Sequence, residues 1–87
     1  MLEHLVEAVI LGQPESIVVA HTTRYAAELL TQVANALEAA GLKVFRQGYL
    51  KLVCEGSVIR FTIPALIQPD MLKNRPGLFY DNSVEDV

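Results

Sequence analysis

Residues 16–44 read SIVVAHTTRYAAELLTQVANALEAAGLKV, and the change of hydrophobic period inside this stretch decides the fold. Ser16 to Ala20 form a short, β-branched, continuously apolar run, the pattern of a strand covered on both faces. From Ala26 onward the apolar residues move to helical spacing. Ala26, Leu29, Leu30, Val33, Leu37 and Ala40 share one stripe, while Glu28, Gln32, Asn35 and Glu38 form the wet face. Thr22 or Thr23 stands where an N-cap belongs, and Gly41 stands where a left-handed stop belongs. Arg24 and Glu28 have the spacing of an ion pair on a helix. The stretch therefore predicts a buried strand that feeds a long amphipathic helix.

Working outward, Leu2, Leu5, Val6, Val9 and Ile10 recur at helical spacing, and Gly12 with Pro14 ends the pattern, which predicts a first helix over 2–11. After the long helix come LKVFR at 42–46, YLKLVCE at 49–55 and SVIRFTI at 57–63, three strand-like runs. A turn at Glu55-Gly56 makes the last two a hairpin, in which Leu50 faces Phe61, Leu52 faces Ile59 and Cys54 faces Ser57. Its other face pairs Val53 with Val58 and Lys51 with Arg60. Like charges directly opposite each other destabilise a ladder unless an acidic group lies near. The pair thus points to an anionic surface or partner; the plainer alternative is two long, solvated side chains. Pro64 ends the hairpin, Pro69-Asp70 starts a short helical turn through Lys73, and Asn74 to Gly77 turn the chain into a last short strand, Leu78 to Tyr80. The expected fold is α/β: a small mixed sheet with the long helix packed on one face. One domain spans 1–81, followed by an acidic, flexible tail at 82–87.

Composition narrows the setting. Of the 87 residues, 52% are hydrophobic and the mean hydropathy is +0.32, an apolar surplus for so small a domain that suggests a homo-oligomer. The lone cysteine, Cys54, has no partner for an internal disulfide, and no run of eighteen apolar residues or basic leader occurs. These features point to a reducing, cytoplasmic location without a membrane span. The net charge of −3 hides a division. Residues 1–41 carry five glutamates against Arg24, a net −4, whereas residues 42–80 carry six basic residues against Glu55 and Asp70, a net +4. The molecule is polar, with one basic region.

Candidate chemistry is sparse. His4 and His21 have no third ligand at metal spacing, so no metal site is expected. His21, at the carboxyl end of a strand, is either a contact residue or a plain loop position. Cys54 sits on the apolar side of the hairpin, where a buried structural thiol is the commoner role than a nucleophile. Thr22, Thr23 and Arg24 could hold an anion at the start of the long helix, although capping is the usual work of such threonines. Tyr49 and Tyr80 with Arg46, Lys51 and Arg60 give the aromatic and basic mixture used on single-stranded nucleic acid, at low density.

The succession SIVVAHTTRYAAELLTQVANALEAAGLKV, then KLVCEGSVIRF, then GLFYDN resembles the core of RecA-like P-loop ATPases, particularly phage terminase large subunits and related helicase-like proteins. The resemblance implies that the first helix corresponds to the one after the phosphate loop, and that Asp81 corresponds to the Walker B aspartate. It also implies a phage-encoded protein. The departures matter as much: no G-x-x-x-x-G-K-[ST] occurs, and Asn82 follows Asp81 where the family has a catalytic glutamate. Without the loop and its lysine an isolated aspartate does not hold Mg-ATP, because phosphoryl transfer depends on the positioning and charge neutralisation those groups supply. Asp81 is also readable as a simple strand-ending turn.

These readings converge on a non-enzymatic interaction protein with no catalytic residues and no cofactor, binding a protein partner through Arg46, Lys51 and Arg60. The alternative is a nucleic-acid or nucleotide-binding remnant of an ATPase-like fold. An ATPase completed by a loop from another chain is a third possibility.

Overall fold

A computed structural model describes residues 1–81, so the tail expected over 82–87 lies outside the described residues. Two helices, α1 (Leu2–Ile10) and α2 (Thr23–Ala39), accompany five strands: β1 (Glu15–Val19), β2 (Val44–Arg46), β3 (Lys51–Cys54), β4 (Ser57–Thr62) and β5 (Gly77–Tyr80). The strands form one mixed sheet in the order β2-β3-β4-β1-β5. Strand β1 runs parallel to both β4 and β5, while β2–β3 and β3–β4 are antiparallel. The chain is a mixed α/β fold, as its periodicities require.

Strand β1 lies inside the sheet, between β4 and β5, and its composition suits that place. Ile17, Val18, Val19 and Ala20 are all buried, the outcome expected of a largely β-branched apolar run, and Ser16 is buried with them. Val18 and Ala20 join Leu52, Cys54, Ile59 and Phe61 on the sheet face that meets Leu5 and Val9 of α1 and the α2 stripe. That stripe is Ala26, Leu29, Leu30, Val33, Ala34 and Leu37; Ala40, expected within it, is the exposed C-cap, and Ala34 takes the inward place. Ile17 and Val19 point to the opposite, outer face and are equally buried. The 63–76 segment, which passes from β4 to β5 across β1, brings Asp70, Met71 and Asn74 beside Ile17.

That crossover is where the sequence reading needed correction. A single helical turn was expected; the structure has two 3-10 turns, Pro64–Leu66 and Pro69–Leu72, each begun by a proline that presets the backbone φ angle. Asn74 ties the segment to the sheet by donating from Nδ2 to Glu15 Oε1 at 3.4 Å. The amino end of β1 is anchored as well: Ser57 Oγ donates to the Gln13 carbonyl at 2.6 Å, and the Val58 amide to the Pro14 carbonyl at 2.9 Å.

The hairpin register is as the alternation required: Lys51 opposite Arg60, Leu52 opposite Ile59, Val53 opposite Val58 and Cys54 opposite Ser57. Glu55 and Gly56 both have positive φ, +50° and +84°, the two-residue turn whose twist suits a hairpin. Leu50 lies outside the ladder, at φ +56°, yet its carbonyl still accepts from the Phe61 amide at 2.9 Å.

Candidate binding face of the hairpin

The outer face of the β3–β4 hairpin carries two rows of side chains. Phe45, Val53 and Val58 lie across neighbouring strands in one row, and Lys51 and Arg60 lie opposite each other in the next. Phe45 is 65% exposed and Tyr49, just before β3, is 80% exposed. Tyr49 is presented by a tight segment: Gly48 and Leu50 on either side both have positive φ, and for Leu50 that conformation carries a strain of order 1 kcal/mol. An open groove of about 330 Å³ is lined by Tyr49, Lys51, Arg60, Thr62 and Met71, with the 3-10 segment forming its far wall.

The electrostatics of this groove are one-sided. The only contact of a basic with an acidic side chain within 4 Å among the described residues is His21 with Asp81, so neither Lys51 nor Arg60 has an ion-pair partner there. Glu15 and Asp70 line a smaller cavity of about 70 Å³ that Arg60 also borders, without closing a pair with it. Arg60 is exposed and Lys51 half-buried, so both heads reach solvent while their stems cover the sheet.

Arg46 does not belong to this face. It lies opposite Leu52, a core residue of the helix-side face, and its Nη2 donates to Thr31 Oγ1 on α2 at 3.3 Å. Side chains alternate along β2, so Arg46, expected beside Lys51 and Arg60, turns to the helix side while Phe45, one residue earlier, holds the outward place. Phe45 was thus legible by counting the register through from Lys51. Met71 was not, because it reaches the groove through a crossover that no periodicity describes.

The residues expected at the start of α2 lie at the carboxyl ends of the parallel strands. Thr22 is the N-cap, its Oγ1 accepting from the Tyr25 amide at 3.0 Å, which engages the hydroxyl in capping. Thr23 and Arg24 are exposed, and the Arg24–Glu28 ion pair does not form among the described residues. Asp81 extends β5 by donating its amide to the Val19 carbonyl at 2.9 Å, and its Oδ2 lies 3.5 Å from His21 Nδ1. His21 also meets the Tyr25 ring, centroid to centroid, at 4.9 Å. The structure therefore brings Asp81 to His21, beside the helix start where the threonines lie. A carboxylate there opposes the binding of an anion at that helix terminus.

Cys54 is fully buried, and burial, reinforced by the neighbouring Glu55 carboxylate, pushes its thiol pKa up from the ordinary range. It is an inert core group. No cluster of three or more metal-ligating side chains occurs, and no helix is long and apolar enough to cross a membrane, both among the described residues.

Comparison of the chain with known protein families, with curated proteins and with solved structures finds no match.

Proposed function

We propose that this chain is a non-enzymatic binding protein whose hairpin outer face receives an acidic segment of a partner protein. The observation that supports it is the placement of Lys51 and Arg60 side by side in the groove with no ion-pair partner among the described residues, flanked by the exposed Tyr49. A fold gains nothing from like charges opposed across a ladder, whereas an incoming carboxylate pair converts their repulsion into two charge-assisted hydrogen bonds. Tyr49, Phe45 and Met71 supply the large apolar contacts that give such an interface affinity rather than only a fast encounter. The scaffold is read as an ATPase-like α/β core without a phosphate loop, carried by a phage; that reading rests on the sequence resemblance alone.

The test is titration of a labelled acidic peptide, rich in Glu and aromatic residues, and separately of a labelled single-stranded oligonucleotide, against the chain and its Lys51→Glu/Arg60→Glu variant. Binding of the peptide that the variant loses, with weaker binding of the oligonucleotide, supports the proposal. Preferential oligonucleotide binding would move the assignment to nucleic acid, for which Tyr49 would serve as a stacking platform. Equal peptide binding by chain and variant would defeat it.

A further inference from the structure

A second feature lies on the other side of the sheet. Leu2, Val6 and Ile10 of α1 stand four residues apart and form one straight apolar ridge along the helix. With Ala36 of α2 they line an open groove of about 370 Å³ whose exposed surface is almost wholly apolar. Ile10 is 60% exposed, and Leu11, just beyond the helix, is 78% exposed. Core packing accounts for this ridge only in part: Leu2 and Val6 are half-buried against the core that Leu5 and Val9 enter, while Ile10 stands outside it. An alanine at the α2 side leaves room for another backbone to approach closely, as helix-in-groove docking requires.

The rim of the groove specifies the charge of its occupant. Glu3 and Glu7 border it, and α1 carries no lysine or arginine. Two copies of α1 packed against each other would confront Glu7 with Glu7 near a two-fold axis, a like-charge contact that disfavours a second copy here. A basic occupant meets the rim favourably.

We propose that the α1–α2 groove docks an amphipathic helix of a partner protein, with apolar residues at i, i+4 and i+7 and lysine or arginine on its flanks. Docking would complete a third helix in the layer that covers the sheet and would bury Leu2, Val6 and Ile10 together. The chain would then be a two-sided adaptor that takes an acidic segment on the hairpin and a basic helix on the helical layer.

The probe is a synthetic helical peptide with three leucines at that spacing and lysines on both flanks. A scrambled peptide of the same composition, which spreads the leucines around the helix, controls for simple charge attraction to an acidic protein. Saturable binding of the patterned peptide, about tenfold tighter than the scrambled one, is expected. Ile10→Glu should weaken it by about tenfold, and because Ile10 is exposed that variant should keep the circular dichroism of the parent. Glu3→Lys/Glu7→Lys should reverse the charge preference towards a glutamate-flanked version of the peptide. Lys51→Glu/Arg60→Glu should leave this binding unchanged, which separates the result from the fate of the hairpin assignment. Equal binding of patterned and scrambled peptides would overturn the proposal, as would insensitivity to Ile10→Glu. So would a concentration-dependent dimer that Ile10→Glu abolishes, because a second copy would then occupy the groove.

Discussion

Replacing Lys51 with Glu should make the fold more stable while removing its proposed function. Lys51 and Arg60 are direct cross-strand partners, so their side chains run alongside each other over the outer face. Two like charges about 6 Å apart close to solvent repel, at near-water dielectric, by about 0.5–1 kcal/mol. Lys51→Glu replaces that repulsion by an attraction of similar size, about 1–2 kcal/mol in all, of which side-chain ordering leaves a net gain of about 1 kcal/mol at low ionic strength. A gain of that size raises the melting temperature of a domain this small by about 4–8 °C. The assay is urea and thermal unfolding of the parent, Lys51→Glu, Arg60→Glu and the double variant, in low salt and in 1 M salt. Lys51→Glu should be stabilised; Arg60→Glu should gain less, because Glu15 and Asp70 border the same cavity, and the double variant, a like-charge pair beside those carboxylates, should lose the gain of Lys51→Glu. The coupling should shrink in 1 M salt, where the screening length is about 3 Å. A cycle with no coupling at low salt would refute the argument, because it would mean that the two charges do not sense each other and no partner is needed to reconcile them.

Other consequences follow from buried and capping groups. Ser16 Oγ is buried and has no hydrogen-bond partner among the described residues, so Ser16→Ala should stabilise by about 1 kcal/mol; a lower urea midpoint would show that the hydroxyl is satisfied. Thr22→Ala removes the cap on Tyr25 and should cost about 1 kcal/mol, with Thr22→Ser restoring it, both read from urea midpoints. Because burial raises the Cys54 thiol pKa in the folded state, the stability this thiol contributes is full below the ordinary thiol range of about 8.5 and is lost as pH rises through the folded value. Unfolding free energy should therefore fall more steeply above that range in the parent than in Cys54→Ala, and alkylation of the thiol should follow urea-induced unfolding.

How much of this was legible in the sequence depended on how local the cause was. Strand β1, helix α2 and the hairpin register follow from period and turn chemistry within a few residues of each position, and all three stand close to the expected bounds. Glu55-Gly56 fixed the pairing of Lys51 with Arg60 before any tertiary contact was known. Arg46 was misplaced because strand β2 is only three residues long, too short for its alternation to stand out, although Phe45 beside it held the answer. The cover beside Ile17 was invisible because an irregular crossover with two 3-10 turns, each begun by a proline, has no period to read. Likewise, nothing in the sequence announced that Asp81 would lie beside His21. That contact depends on β5 pairing with β1 rather than with the hairpin, a choice made by the whole sheet.

The central claim is that the groove between the hairpin and the 63–76 crossover is where a partner's acidic segment binds. The most direct measurement is a two-dimensional amide NMR titration of the chain with the acidic peptide. The account predicts that the shifted amides cluster at Tyr49, Lys51, Arg60 and Met71 and that those of α1 stay still. Shifts gathered instead around His21, Thr22 and Asp81, or the absence of saturable shifts anywhere on the hairpin, would contradict it.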